Sequence, residues 1–570
     1  MTAKLPPPKL FLLSFLIAVC SNWQFGYQTS YINTSVRTFY HHFNTTYVAD
    51  HPGEPSIPHH VWILQWSLTV ASFYLGALFG FIMVPCLTRR VGLKCAYTVT
   101  AVPAILGCAI TFCGHFAATL AGPGSEESIL KDFLICGRIL CGIHGGAAVA
   151  LLPLWIRETS PTAHRGFLSA FQQIGQAIAV LAGFVCGSEN ILGVDQHFEM
   201  LQVIAALPTL FLVILMRLIP DTPHHYFRRK NDWPAGEAAI LFYYGTQTDV
   251  EAATLAVLQE WTDHSAAEGG RPDSYRLRRL LFPSRADTEG RLVRKGFLVG
   301  LVAAMSYGFT ADYIINAYSS TIFEMLNYDP GTSGMDANQA SLFTIILGVW
   351  LVVCSVPSTY LIDRVGRRRM ILCGLFGTCI GNTCTAIVSK VPGNRLVTSY
   401  CAVVAIYFTK ACIGLGAGPP AWFLTSELVP ASARTPAQTL STAVLLGVSG
   451  LTTGLYLILQ YSVGSLSFLV LAAGPAAVCG LLLALHLPET KGKDPEEIQL
   501  LLSISGAGVG LFSRDRGDVL AGWSKRRKGY ATFGGQKHRG RRKNKNPLID
   551  SEDSADNLDI VQYDRTTVPD

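Results

Sequence analysis

The sequence predicts an all-α membrane protein, with twelve transmembrane helices in two pseudo-symmetric six-helix bundles and a helical loop domain between them. Three observations predict it. Half of the 570 residues are hydrophobic and only 15% are Asp, Glu, Lys or Arg, against roughly 25% in a soluble domain. The apolar residues gather in runs of about 20, the length that crosses the hydrocarbon core of a bilayer. Short motifs from the first half of the chain recur in the second half in the same order.

The first run, residues 10–31, is too long for a signal-peptide core and leads into an aromatic, glycine-containing stretch without a small-residue cleavage site, so it is read as a retained helix. Runs at 62–84, 95–116, 129–152, 167–187 and 200–219 complete a first bundle, residues 1–219. Residues 220–295 form the one long internal loop, in which 235–245 and 250–260 have helical composition. Runs at 297–325, 341–362, 370–390, 399–424, 437–461 and 466–487 make a second bundle, residues 296–490. Each run must be helical, because lipid offers no partner to an open backbone N–H or C=O. Residues 491–570 read as a mostly disordered tail. Within it, Lys525 to Lys545 holds ten Lys or Arg and no acid, and Asp550 to Asp564 is acidic.

Orientation follows from basic residues in short loops. Arg89, Arg90, Lys94, Arg157, Arg165, Arg364, Arg367, Arg368, Arg369 and Arg434 fall on one side, against Arg37, Lys131, Lys390 and Arg395 on the other. The first side is expected to be cytoplasmic, together with both termini and the 220–295 loop, and the destination is expected to be the plasma membrane. Asn44-Thr45-Thr46 and Asn33-Thr34-Ser35 are N-glycosylation sequons on the opposite side, with Asn44 farther from the membrane.

The repeat is explicit. Glu158…Arg165 recurs as Glu427…Arg434, and 427 − 158 and 434 − 165 both give 269. Pro220-Asp221-Thr222 recurs as Pro488-Glu489-Thr490, and Arg90-Val91-Gly92 as Arg364-Val365-Gly366. Two such bundles can rock about a site near the midplane. A Glu at a helix end facing an Arg of the other bundle would form a breakable charge-assisted bond, so Glu158, Arg165, Glu427, Arg434 and Arg367 are gate candidates. A static interfacial salt bridge is the alternative.

Other classes are excluded by what the chain lacks. No phosphate-cradling Gly loop, no Gly-x-Ser-x-Gly elbow and no Cys/His metal spacing occurs, so no enzyme, cofactor or metal is expected. The 15 cysteines fall almost entirely in apolar runs and read as small buried residues. The net charge of +6 lies in loops and tail, which points to membrane topology and not to nucleic acid. The basic tail is a solvated segment or a contact for anionic inner-leaflet lipid.

Several pieces together resemble the sugar-porter branch of the major facilitator superfamily, specifically the GLUT-type facilitative hexose transporters. They are Gln24-Phe25-Gly26-Tyr27, Gly137-Arg138…Gly142, Pro153…Arg157-Glu158…Arg165-Gly166, Gln172-Gln173-Ile174-Gly175, Asp363-Arg364-Val365-Gly366-Arg367-Arg368, Trp422-Phe423…Glu427…Arg434 and Pro488-Glu489-Thr490-Lys491. The resemblance implies transport of a small solute, a sugar or polyol, by alternating access. It places Gln173 on the family's helix-five sugar-binding glutamine and Trp422 on its cavity tryptophan. A carboxamide suits a pair of sugar hydroxyls and an indole offers a flat face to a pyranose. Each also reads as a packing residue.

Helices seven, ten and eleven depart from the family. Its Gln-Gln-Leu-Ser-Gly-x-Asn segment aligns with Tyr307-Gly308-Phe309-Thr310-Ala311-Asp312-Tyr313, so both glutamines and the asparagine are gone. Gln28, Tyr313 and Asn316 are candidates to rebuild substrate contacts. Asp312 and Lys410 are ionisable groups within spans, where such groups are costly and usually functional. Mutual pairing, an ion or proton site, a charged-substrate site and a wet vestibule are the readings they leave open. Beside the hexose carrier stand two alternatives: a carrier of a non-hexose, charged or proton-coupled solute, and a non-transporting nutrient sensor.

Overall fold

The computed structural model describes residues 6–504 other than 122–126, 162–163, 246–247, 268–276, 285–286, 327–336, 389–394, 492 and 494. The helices belong to one compact unit, Met1–Val509, and the second unit, Gly510–Asp570, lies outside the described residues, as does the basic tail segment. The first half holds α1 (Pro8–Thr34), α2 (Val36–Asp50), α3 (His59–Val91), α4 (Leu93–Ala121), α5 (Glu127–Thr159), α6 (Arg165–Ser169), α7 (Phe171–Cys186) and α8 (Phe198–Leu218). Then come α9 (Pro223–His225), a π turn at Tyr226–Lys230, α10 (Trp233–Tyr244), α11 (Val250–Ala267) and α12 (Leu277–Leu281). The second half holds α13 (Thr288–Gly308), α14 (Asp312–Leu326), α15 (Ala337–Val365), α16 (Arg367–Val388), α17 (Arg395–Cys412), α18 (Gly418–Ala421), α19 (Leu424–Leu428), α20 (Ala431–Val463), α21 (Gly474–His486) and α22 (Pro495–Ile504).

Twelve helical spans are long and apolar enough to cross a membrane, at the twelve places the apolar runs predict. Their outer faces remain apolar: Leu68, Leu75, Phe79 and Ile82 of α3 are each more than half exposed on the bare protein, as lipid-facing positions must be. Seven cysteines, among them Cys86, Cys136, Cys373 and Cys401, also lie exposed, which corrects the reading of the cysteines as uniformly buried. The reason is that a thiol behaves as a small hydrophobe and is at home against lipid as well as in the core.

The motif repeats become one structural device, used twice at the end of the bundle that carries α9–α12 (the linker end). Gly92 (φ +86°) stops α3 and Gly366 (φ +98°) stops α15, each in a backbone conformation that favours glycine. A Cβ on Gly92 would meet His225 and one on Gly366 would meet Glu489, so each turn packs against the segment that follows the sixth span of its own half. Glu158 accepts from Thr222 Oγ1 at 2.6 Å, and Glu427 accepts from Thr490 Oγ1 at 2.6 Å. The Pro-acid-Thr motif therefore binds the Glu at the end of the fourth span, or of its counterpart, the tenth.

The first half packs backbone on backbone. A Cβ on Gly76, Gly80 or Gly146 would lie within 2.0 Å of the carbonyl oxygen of Ile139, Ile143 or Ala77, so α3 and α5 touch along their length. The seventh and tenth spans are not the single helices the sequence suggests. Between α13 and α14 the helix is broken at Phe309–Ala311, with Ala311 at φ +68°. The freed carbonyls are caught by side chains: Asn382 Nδ2 donates to Thr310 O at 3.1 Å and Thr452 Oγ1 to Gly308 O at 3.4 Å. The tenth span passes from α17 through a π turn at Ile413–Ala417 into α18, because Pro419 and Pro420 supply no N–H to the preceding turn.

Candidate functional site

The middle of the bundle, where the halves face each other, is aromatic. From the first half come Phe25 of α1 and Phe73 and Tyr74 of α3; from the second come Tyr307 of α13, Tyr313 of α14 and Trp422 after α18. Ring centroids lie 5.5 Å apart for Tyr74–Tyr313, 5.8 Å for Phe25–Tyr313 and 5.6 Å for Tyr307–Trp422. Polar groups converge on this cluster from α7, whose Gln173 and Gln176 are 5% and 3% exposed. The Gln173 side-chain oxygen lies 3.5 Å from where a Cβ on Gly418 of α18 would stand, so it faces the other half. Gln172 is held differently, donating to Asn22 Oδ1 of α1 at 2.8 Å.

Several buried polar atoms here have no hydrogen-bond partner among the described residues: Oε1 of Gln173 and Gln176, the Tyr313 hydroxyl and Trp422 Nε1. The Tyr313 hydroxyl stands near Gln176 and Tyr307 without reaching hydrogen-bonding geometry. Gln438 of α20 donates to Trp422 O at 2.6 Å and leaves its own Oε1 unpartnered. Buried polar groups are normally paired, so such a concentration of orphans has the character of a site for a hydroxyl-bearing ligand.

Of the predicted contacts, Gln173, Trp422 and Tyr313 thus meet at one place. Asn316 lies one turn further along α14; Lys410 takes its Oδ1 at 2.6 Å, and its Nδ2 is unpartnered. Gln28 does not join them, which corrects its assignment as a substrate contact. Its amide donates to Gln24 Oε1 at 3.3 Å, Gln24 in turn donates to Ala205 O and Thr209 of α8, and Arg138 Nη1 donates to Gln28 O at 2.9 Å. Residues 24 and 28 share one helix face, and that face looks into the first half. Gln176 and Gln438 were missed. Gln176 is three residues from Gln173 on the same helix face, a spacing that could have revealed it.

Asn33 is also corrected. Read as a glycosylation acceptor, it is fully buried in α1 and fastens the two halves together. Its Nδ2 donates to Asn316 O at 2.9 Å and Ser319 Oγ at 2.8 Å, and its Oδ1 accepts from Ser320 N at 3.0 Å and Ser320 Oγ at 2.6 Å. An amide so enclosed is out of reach of a glycan. Ser188–Ser341 at 3.1 Å and Arg37–Glu324 at 3.6 Å join the halves at the same end, which carries α2. Asn44 is part-exposed in α2, and its Oδ1 accepts from Ile57 N at 2.8 Å.

At the linker end, the ties that Glu158 and Glu427 make to Thr222 and Thr490 run within their own halves, as does Arg367 Nε to Glu427 Oε1 at 3.6 Å. Arg165 Nε donates to Ser160 O at 3.0 Å and Arg434 Nε to Ser426 O at 2.9 Å. These bonds brace each half from within, at the ends of the fourth and tenth spans. Nearby, outside the membrane, burial pushes the His225 imidazole down from its ordinary value, and Asp221, 3.5 Å away, opposes the shift.

Asp312 and Lys410 find each other. Lys410 Nζ lies 2.5 Å from Asp312 Oδ1, with the two side chains 1% and 3% exposed respectively, and Tyr307 donates to the other carboxylate oxygen at 2.9 Å. Among the described residues no group of His, Cys, Asp and Glu is arranged to hold a metal ion.

Two six-span halves, fastened at one end and enclosing a polar-aromatic centre, make a multi-pass membrane carrier. The chain belongs to the sugar (and other) transporter family, whose profile matches residues 13–502. It is similar to solute carrier family 2, facilitated glucose transporter member 4 of Mus musculus, 28% identical over 75% of this chain and 78% of the relative. It is similar also to member 1 of Gallus gallus, 27% identical over 86% and 93%. In fold it is like the partially occluded inward-open xylose transporter XylE from E. coli, with a TM-score of 0.66 at 17% identity over 85% of this chain and 99% of that one. The proton:xylose symporter XylE bound to 6-bromo-6-deoxy-D-glucose gives 0.64 at 21% identity over 86% and 99%.

Proposed function

We propose that this protein carries a hexose or related polyol down its gradient by alternating access. The observation that supports this best is the set of orphaned polar atoms of Gln173, Gln176, Tyr313 and Trp422 at an aromatic-walled centre between the halves. Carboxamides that donate and accept suit vicinal hydroxyls, and the aromatic faces suit the apolar side of a pyranose. The relatives named above as facilitated glucose transporters support the same reading.

On this reading residues 1–219 and 296–490 are the rocking bundles, 220–295 is a cytoplasmic linker and 491–570 a cytoplasmic tail. The excess of Lys and Arg at the linker end supports a cytoplasmic face there, and Asn44 is then the glycan acceptor on the outside. The plasma membrane is the destination, and the basic tail meets anionic lipid of its inner leaflet. Glu158, Arg165, Glu427, Arg434 and Arg367 act in the inner gate by bracing the ends of the fourth and tenth spans. A coupling ion at Asp312 is disfavoured, because both its carboxylate oxygens already have donors.

The test is uptake of labelled glucose and fructose into liposomes holding the purified protein, beside Gln173→Ala. Saturable, pH-independent uptake that falls at least tenfold in kcat/KM in the variant is expected; tenfold corresponds to about 1.4 kcal/mol. Folded protein that moves neither sugar would retire the hexose reading. Uptake that follows pH and disappears in Asp312→Asn would favour the proton-coupled carrier instead.

A further inference from the structure

The buried charge pair has a place in the fold that the solute site does not explain. Asp312 opens α14, directly after the break that leaves Ala311 at φ +68°. Lys410 reaches across from α17 to three acceptors on the first turn of α14: Asp312 Oδ1 at 2.5 Å, Asp312 O at 3.2 Å and Asn316 Oδ1 at 2.6 Å. An ammonium has three N–H donors, so the set is complete. Tyr307, in the last turn of α13, holds the second carboxylate oxygen at 2.9 Å. One point therefore joins the two sides of the break to a third helix.

The turns of α14 that follow carry the fastening between the halves. The carbonyl of Asn316 accepts from Asn33, and Ser319 and Ser320 supply the remaining bonds. For the α2 end to open, α14 must leave α1, and the break at Phe309–Ala311 is where helical hydrogen bonding along the seventh span is interrupted. Losing one partner of a buried ion pair is strongly unfavourable, so a motion that tilts α14 while keeping its first turn on Lys410 is preferred over one that tears the turn away.

We propose that Lys410 and Asp312 are positioning residues of the gate: they pin the first turn of α14 as a pivot and thereby set how firmly Asn33 closes on Asn316, Ser319 and Ser320. The proposal rests on the alternating-access reading but not on the identity of the solute.

The experiment places a reporter thiol in α14 by Ala317→Cys, a buried position outside the fastening. Its alkylation by a membrane-impermeant maleimide is followed in liposomes, with labelling of the protein lacking the reporter subtracted. Asn33→Ala sets the rate for an unfastened end. With the pin intact, labelling is slow. Lys410→Met and the charge-free pair Asp312→Asn/Lys410→Met raise it at least fivefold, and the charge-free pair separates loss of the pin from an unpaired charge. Asn316→Ala, which removes one pin bond and leaves the ion pair whole, raises it by a smaller factor; if the charge variants do not fold, this variant decides alone. Rates within twofold of the parent in folded variants overturn the proposal. Glucose and fructose uptake is followed on the same liposomes. Unchanged labelling with intact uptake removes the pin and keeps the carrier, whereas raised labelling without uptake keeps the pin and removes the hexose.

Discussion

The two halves use the same parts differently. At the linker end they share one device: Glu158 with Thr222 and Glu427 with Thr490, both at 2.6 Å, and a left-handed glycine after the second span of each. In the middle they part company. The first and fourth spans are the continuous helices α1 and α5, while their counterparts, the seventh and tenth, are broken at Phe309–Ala311 and at Ile413–Ala417. The first half is locked by backbone contact through Gly76, Gly80 and Gly146, so its helices have little room to shift. The second half also has close backbone contacts, Gly374 against Ala417 and Gly296 against Leu428, but it holds the break in its seventh span with side chains, Asn382, Thr452 and Lys410 among them. A duplicated frame has thus become a stiff half and a half with built-in joints.

That contrast can be broken at its strongest point first. Lys410→Met leaves the Asp312 carboxylate buried without its ammonium, and a loss of roughly 3–5 kcal/mol is expected, read as a fall in the unfolding midpoint in detergent. Asp312→Asn/Lys410→Met should recover most of it; no recovery would mean the pair is not the element that holds the break. Next, Gly80→Ala should overpack the α3–α5 contact by about 1–3 kcal/mol. Gly447→Ala in α20, where a Cβ meets no atom within 4 Å, should gain up to about 1 kcal/mol of helix propensity. Equal effects at the two glycines would erase the distinction between a stiff half and a jointed one.

Ala311→Gly sharpens the comparison on a smaller scale. An L-residue in the left-handed region is strained by about 1–2 kcal/mol, and glycine relieves that at some entropic cost, so a gain of about 1 kcal/mol or less is expected in the same melt. A loss instead would show that the Ala311 methyl does more for packing than its backbone strain takes away. Smallest of all, Glu427→Gln keeps an acceptor for Thr490 and gives up a part-exposed ion pair with Arg367. A change below about 1 kcal/mol is expected, with a similarly small change for Glu158→Gln; a large difference between the two would show that the linker ends are not equivalent after all.

The candidate site was half legible. Gln173 and Trp422 were singled out by the family resemblance and Tyr313 as a polar aromatic where helix seven departs from it, and the packing brings the three side by side. Gln28 and Asn33 were misread because a sequence gives a polar residue's helix but not which neighbour its face will meet. One turn of rotation decides between the centre, the α8 side and the opposing half. Asp312 and Lys410 stand 98 residues apart, and among the readings the sequence left open, mutual pairing is the one the packing selects.

What the sequence determined by itself is whatever depends on local composition and on repetition. The number and position of the spans follow from apolar length, because lipid accepts only helices whose backbone is internally bonded. The left-handed glycines and the Pro-acid-Thr device follow from short motifs that act on near neighbours. What only the tertiary structure decided is where helices interrupt and which polar groups meet. The break in the seventh span has no proline to announce it and persists because Asn382 and Thr452, distant in sequence, satisfy the carbonyls it frees. Pairings of that kind are set by three-dimensional packing, since a buried polar group must find its partner wherever the fold brings one within reach.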